Sequence, residues 1–257
     1  PGPAGEKLTD KGVPPSIGAS ETVRGRDALE PGGAAKVEVL DLSKRGLVDL
    51  SPLLGLEDLE VLGLGGNRVA DLSPLAGLGG LEALDLRDNN MADLSPLASF
   101  THLRVLDLSG NAVADLSPLA SLAALRRLDL SGNRVADLRP LSELRRLKVL
   151  LLDGNRVADL TPLWGLSELA HLDLGNNRVA DAALLREMPS LRRLDLGGNP
   201  LRDVPALGGL PKLVWLAVPG DPMADPLPLG RPASLRWLLL DAGASRARSR
   251  LPLFEAR

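Results

Sequence analysis

The chain has 257 residues, 44% of them hydrophobic and 25% charged, with a net charge of −3 and no cysteine. This excludes disulfide staples and cysteine-based metal or thiol chemistry, and no overall field favours nucleic acid. No stretch is long and apolar enough to read as a membrane-spanning helix, and one continuous core is the economical expectation.

Residues 1–36 come first and hold five prolines and seven glycines. Pro14-Pro15 and Pro31-Gly32-Gly33 interrupt any regular element, so the segment reads as a flexible leader or linker, or as an extended arm on the first repeats or a partner. The chain begins at Pro1, which leaves open both a removed leader and a piece of a longer protein.

From Val37 onward the sequence is periodic. Asn67, Asn89, Asn111, Asn133, Asn155, Asn177 and Asn199 recur every 22 residues, each closing the phrase L-x-x-L-x-L-x-x-N. Units begin at Val37, Leu59, Leu81, Leu103, Leu125, Leu147, Leu169, Leu191 and Leu213, with a half-unit from Leu235. Position 4 of each unit is leucine, and position 6 is leucine except at Val218. Leucines two apart leave one face of a strand, so each unit predicts a short strand, stacked on the next at about 4.8 Å. An apolar residue follows at position 11, then Asp-Leu-Ser-Pro-Leu, as at Asp71 to Leu75. Serine suits a helix N-cap and proline the first helical position, and leucines at positions 14, 17 and 20 fit one or two turns of 3₁₀ or α-helix. The asparagine amide is expected to bond backbone groups that the turn leaves unpaired. Arg45 and Asp221 replace it in the first and ninth units, as terminal repeats do when they act as caps.

A 20–29-residue period carrying this phrase marks a solenoid of leucine-rich repeats. The fold expected is an α/β solenoid: a curved array with a parallel concave sheet and short 3₁₀ or α segments on the convex side. The solenoid spans 37–242, as nine 22-residue repeats plus a terminal half-repeat. The 22-residue unit with its DLSPL step resembles the internalin type of bacterial leucine-rich repeat protein. That resemblance implies a concave sheet that binds a protein partner, on a host cell or the bacterial surface. It favours a surface, secreted or periplasmic location over the cytoplasm.

Positions 3, 5 and 7 face the concave side. Position 5 carries Asp41, Asp85, Asp107, Asp129, Asp173 and Asp195, which reads either as an acidic stripe for a basic ligand or as ordinary repeat filler. Arg127 and Arg193 at position 3 are candidate ion partners. Near the C-terminal end the pattern changes to Trp215 and Trp237 at position 3, with Ala217 and Leu239 at position 5. Paired tryptophans are the expected hot spot, with His171, Arg193, Asp173 and Asp195 beside them. The alternative is that the tail covers them. His171 has no second histidine or nucleophile to work with, and His102 falls on the convex side. The aspartates at position 13, Asp49 through Asp225, read as acceptors for amides at the convex turn or as partners of nearby arginines, with a metal array as the weaker alternative. Glycine runs such as Gly63 to Asn67 lack the lysine of a phosphate loop.

Residues 243–257 carry Arg246, Arg248, Arg250 and Arg257 against Glu255. They read as a basic tail whose Leu251, Leu253 and Phe254 cap the core, or as a docking peptide. The function expected is a non-catalytic scaffold for a protein partner, without cofactor or metal, acting as a monomer or as a subunit of a hetero-complex. The alternatives are an accessory subunit docked through its terminal segments and the sensor domain of a longer chain.

Overall fold

A unit with leucine at positions 4 and 6 turns one edge of a short strand toward the interior. A computed structural model, which describes residues 37–201, 210–219 and 234–241, repeats this ten times. The strands are β1 (Val39–Asp41), β2 (Val61–Gly63), β3 (Ala83–Asp85), β4 (Val105–Asp107), β5 (Arg127–Asp129), β6 (Val149–Leu151), β7 (His171–Asp173), β8 (Arg193–Asp195), β9 (Trp215–Pro219) and β10 (Trp237–Asp241). They form one parallel sheet in chain order, with Leu106 beside Leu128 and Leu128 beside Leu150. At about 4.8 Å per rung the sheet runs about 45 Å. The leader expected over 1–36, the tail over 243–257 and the substitution at Asp221 lie outside the described residues.

One repeat shows how the core is built. Leu103, Leu106, Leu108, Val113, Leu116, Leu119 and Leu122 are all essentially inaccessible. They come from the strand, the inward turn and the convex return, and meet the same seven positions of the units above and below. Burying each leucine contributes about 1.5–3 kcal/mol. Leu238 departs from its column: its nine counterparts are buried, whereas it is 42% exposed. Among the described residues no rung stacks beyond β10 to cover it.

The convex returns are 3₁₀ turns, such as Ser95–Ser99, Ser117–Ser121 and Thr161–Leu163, and no α-helix occurs among the described residues. A leucine every third residue matches three residues per turn. The expected serine cap is corrected: the capping position is the leucine before it, and serine and proline fill the first two helical positions without a side-chain cap bond. The position-13 aspartate performs the capping two residues earlier. Asp115 Oδ1 accepts the Ser117 amide at 2.9 Å and its hydroxyl at 2.6 Å, and the same pattern holds at Asp49, Asp71 and Asp93. The serine hydroxyl and the amide hold these carboxylates below their ordinary range. The expectation that this column accepts amide bonds is met.

The asparagine column bonds to backbone, as expected. Asn133 Oδ1 accepts the Val113 amide at 2.9 Å, and its Nδ2 donates to the Leu108 and Leu130 carbonyls at 2.8 and 2.9 Å. Each buried amide therefore ties its own turn to the one before.

Position 8 follows a rule that the period alone did not announce. The backbone there is left-handed in every described turn: Lys44, Asp88 and Asn176 have φ of 57°, 50° and 52°, and Gly66, Gly110, Gly132, Gly154 and Gly198 have 67–69°. A side chain at such φ costs about 1–2 kcal/mol. Gly132→Ala is therefore expected to lower stability by about 1–2 kcal/mol in urea titrations, although its Cβ would meet nothing closer than 3.6 Å. A neutral result would show that the turn relaxes.

Candidate functional site

Parallel register turns sequence period into spatial adjacency, so residues 22 apart become neighbours on the concave face. His171, Arg193, Trp215 and Trp237 form one row across β7–β10, and Asp173, Asp195, Ala217 and Leu239 form the row beside it. All eight residues singled out in the sequence thus make one contiguous patch. Trp237 is 58% exposed, while Trp215, His171, Arg193, Asp195 and Leu239 are half-buried. Ala217 and Asp173 are buried and form the floor, so a ligand would meet the tryptophans, His171 and Arg193 rather than these two.

The Arg193 guanidinium lies 5.4 Å from the centre of the Trp215 ring, within reach of cation–π attraction. Its buried Nε has no hydrogen-bond partner. Burial lowers the Arg193 pKa, against the pull of Asp173. Burial, reinforced by Asp195, pushes the Asp173 carboxyl up to about 7. Burial also brings His171 down to about 4, with Arg193 and Arg127 adding repulsion. At neutral pH the imidazole is therefore uncharged.

The position-5 aspartates are largely sunk into the sheet. Asp85, Asp129 and Asp173 are buried, and burial raises Asp85 to about 6 and Asp129 upward as well. Each carboxylate accepts the amide two residues on: Ser43 to Asp41, Arg87 to Asp85, Ser109 to Asp107, Ser131 to Asp129, Gly175 to Asp173 and Gly197 to Asp195, at 2.9–3.0 Å. This is a local side-chain-to-backbone turn, so the column supports the turn that follows each strand. Of the expected ion partners, Arg127 approaches Asp129 at 3.7 Å. Gly63 interrupts the column where a Cβ would come within 2.7 Å of Asp41 Oδ1.

Trp164 was missed by the sequence reading. It is 67% exposed on the convex side, as is Leu54 at 64%. Both occupy position 18, where Ala76, Ala98 and Ala120 stand in other units, and that break in the column was the available signal. Among the described residues no group of three or more histidines and carboxylates could hold a metal ion.

Two leucine-rich repeat families match the chain: "Leucine Rich repeats (2 copies)" over 80–121, 101–143 and 123–163, and "Leucine rich repeat" over 145–201. Among solved structures, an internalin (inlF) of Listeria monocytogenes is similar at 30% identity and a TM-score of 0.75, over 81% of this chain and 61% of that one. The chain thus spans less than two thirds of that relative's length. An internalin C2 of the same organism is similar at 28% identity and a TM-score of 0.65, over 79% and 80% of the two chains. A leucine-rich repeat protein of Leptospira interrogans, 23% identical with a TM-score of 0.61 over 79% and 66%, shares the fold. No curated protein matches the sequence. With the 22-residue period, the ten-rung parallel sheet and the 3₁₀ returns all present, the chain is a bacterial leucine-rich repeat protein of the internalin-like type.

Proposed function

We propose that this solenoid is a non-catalytic scaffold that recognises a protein partner on its concave face, around Trp215 and Trp237. The observation that carries the reading is the register pair Trp215–Trp237, one ring stacked on Arg193 and the other 58% exposed. Large aromatics beside arginine are what interface hot spots are made of. A cell-surface or secreted location follows the similarity to internalins.

The test is affinity capture with the intact chain against Trp215→Ala/Trp237→Ala. With a single hot spot worth about 2 kcal/mol or more, the double variant loses at least about 30-fold in affinity for the captured partner and keeps a wild-type circular dichroism spectrum and a cooperative melt. Equal capture by a folded double variant would remove the assignment. The second reading, an accessory subunit of a larger assembly, draws on the exposed convex Trp164 and Leu54. It requires Trp164→Ala, and not the concave pair, to release fixed-ratio partners.

A further inference from the structure

Position 2 of each unit lies at the edge of the sheet, one residue before the strand. Its carbonyl serves the next rung: the Glu38 carbonyl accepts both the Glu60 and Val61 amides, and the Arg104 carbonyl those of Arg126 and Arg127. The side chains stay at least partly exposed. Along the ten rungs they sort by charge. Glu38, Glu60 and Glu82 come first, then Arg104, Arg126, Lys148, Arg192 and Arg236, with Ala170 and Val214 interposed. Arg104 meets Glu82 at the boundary, Nη1 to Oε2 at 2.9 Å.

Like charges on neighbouring rungs about 4.8 Å apart repel one another. Ala170 and Val214 show that the fold accepts uncharged residues at this position. The fold therefore makes no demand for a cation at this position, and the five cations gather positive charge along one edge, where it would draw a polyanion. The opposite edge differs. Exposed Arg134, Arg156 and Arg178 each precede an exposed aspartate by three residues, at Asp137, Asp159 and Asp181, so that edge carries both signs.

We propose that the position-2 edge from Arg104 to Arg236 binds an extended polyanionic polysaccharide, laid across the rungs and excluded from the acidic rungs of Glu38 to Glu82. Three observations favour this chemistry. The rung spacing is comparable to one sugar ring, whereas an extended acidic peptide repeats same-face charges at about 6.6 Å. No described position-2 residue is aromatic, so the stacking platforms used for single-stranded nucleic acid are missing. Four of the five cations are arginine, whose planar fork matches sulfate and carboxylate. The edge shares no residue with the Trp215–Trp237 patch, and its test substitutes none of that patch's residues.

The full chain is titrated with heparin, with polyglutamate of equal charge and with a single-stranded oligonucleotide, at several salt concentrations. Wild type binds heparin more tightly than the other two, with an affinity that falls as salt rises. Arg126→Ser/Lys148→Ser/Arg192→Ser weakens heparin at least about 10-fold and reduces the salt slope by roughly two to three. Its circular dichroism spectrum and cooperative melt match wild type, so the loss is of binding contacts and not of fold. The opposite-edge variant Arg134→Ser/Arg156→Ser/Arg178→Ser removes the same charge and leaves binding within about 3-fold. The proposal is overturned if wild type fails to bind heparin, if both triple variants lose it alike, or if either other polyanion binds equally well.

Discussion

Asn133→Ala is expected to destabilise the solenoid by about 2–4 kcal/mol, among the largest effects of any single polar substitution in the chain. The change orphans the buried Val113 amide, which finds its acceptor in Asn133 Oδ1, and an unsatisfied buried donor costs about 1–3 kcal/mol. The Leu108 and Leu130 carbonyls are weakened rather than stranded, because Asn111 Nδ2 also donates to Leu108 and Asn155 Nδ2 also donates to Leu130. Stacked repeats draw stability from their nearest neighbours, so an interior break also lowers the cooperativity of unfolding. Urea titration of Asn133→Ala, with the exposed neighbour Arg134→Ala as control, measures this. A loss no larger than the control's, about 0.5 kcal/mol, would show that water replaces the amide.

The second large effect depends on pH and separates two adjacent groups of the concave patch. Asp173 stands at about 7 in the folded protein, above its ordinary value of 3.8. The folded state therefore holds this proton more tightly than the unfolded chain. Its carboxyl costs stability in full above pH 7, and the cost fades as pH falls from 7 toward 4. Asp173→Asn is expected to be more stable than wild type by about 2–4 kcal/mol at pH 8, with the gap closing toward pH 4, at about 1.4 kcal/mol per pKa unit. Asn Oδ1 can still accept the Gly175 amide that Asp173 Oδ1 accepts now.

His171 acts in the opposite sense. Its folded value of about 4 lies below the ordinary 6.5, so the unfolded chain takes up that proton first and stability is lost as pH falls through 6.5 toward 4. His171→Gln escapes this loss and should exceed wild type by about 1–2 kcal/mol at pH 5 while matching it at pH 8. Asp85 and Asp129, also raised by burial, add to the Asp173 trend. Chemical denaturation of the three proteins at pH 5 and pH 8 reads both signs. Parallel pH profiles for all three would mean that neither group is perturbed by the fold.

Legibility in the sequence followed the physics of the repeat. The inward column, Leu106 and Leu108 with Leu116 and Leu119, was readable because a parallel in-register sheet makes the same demand on every unit. The asparagine column was readable for the same reason, since each turn leaves the same amide and carbonyls to satisfy. The patch of His171, Arg193, Trp215 and Trp237 could be placed from counting alone, because a 22-residue offset becomes one strand spacing once the register holds. Trp164 escaped because its column is convex and variable, and a lone tryptophan among Ala76, Ala98 and Ala120 breaks no rule of packing. The serine cap was misplaced because the first 3₁₀ bond runs from the Leu119 amide to the Leu116 carbonyl, which makes the leucine the capping position, while Asp115 holds the amide and hydroxyl of Ser117.

What the sequence determined by itself was the architecture: period, strand direction, the identity of the core and the columns that close each turn, all local demands repeated without change. Only the tertiary structure decided accessibility and charge state. Asp85, Asp129 and Asp173 look like a displayed acidic stripe in sequence, yet they are sunk beside the turn amides, and burial raises the pKa of each. Ala217 is floor, Trp237 is surface, and Arg193 lies over Trp215. Burial depends on what neighbouring rungs cover, and that sum of contacts is not carried by any single repeat.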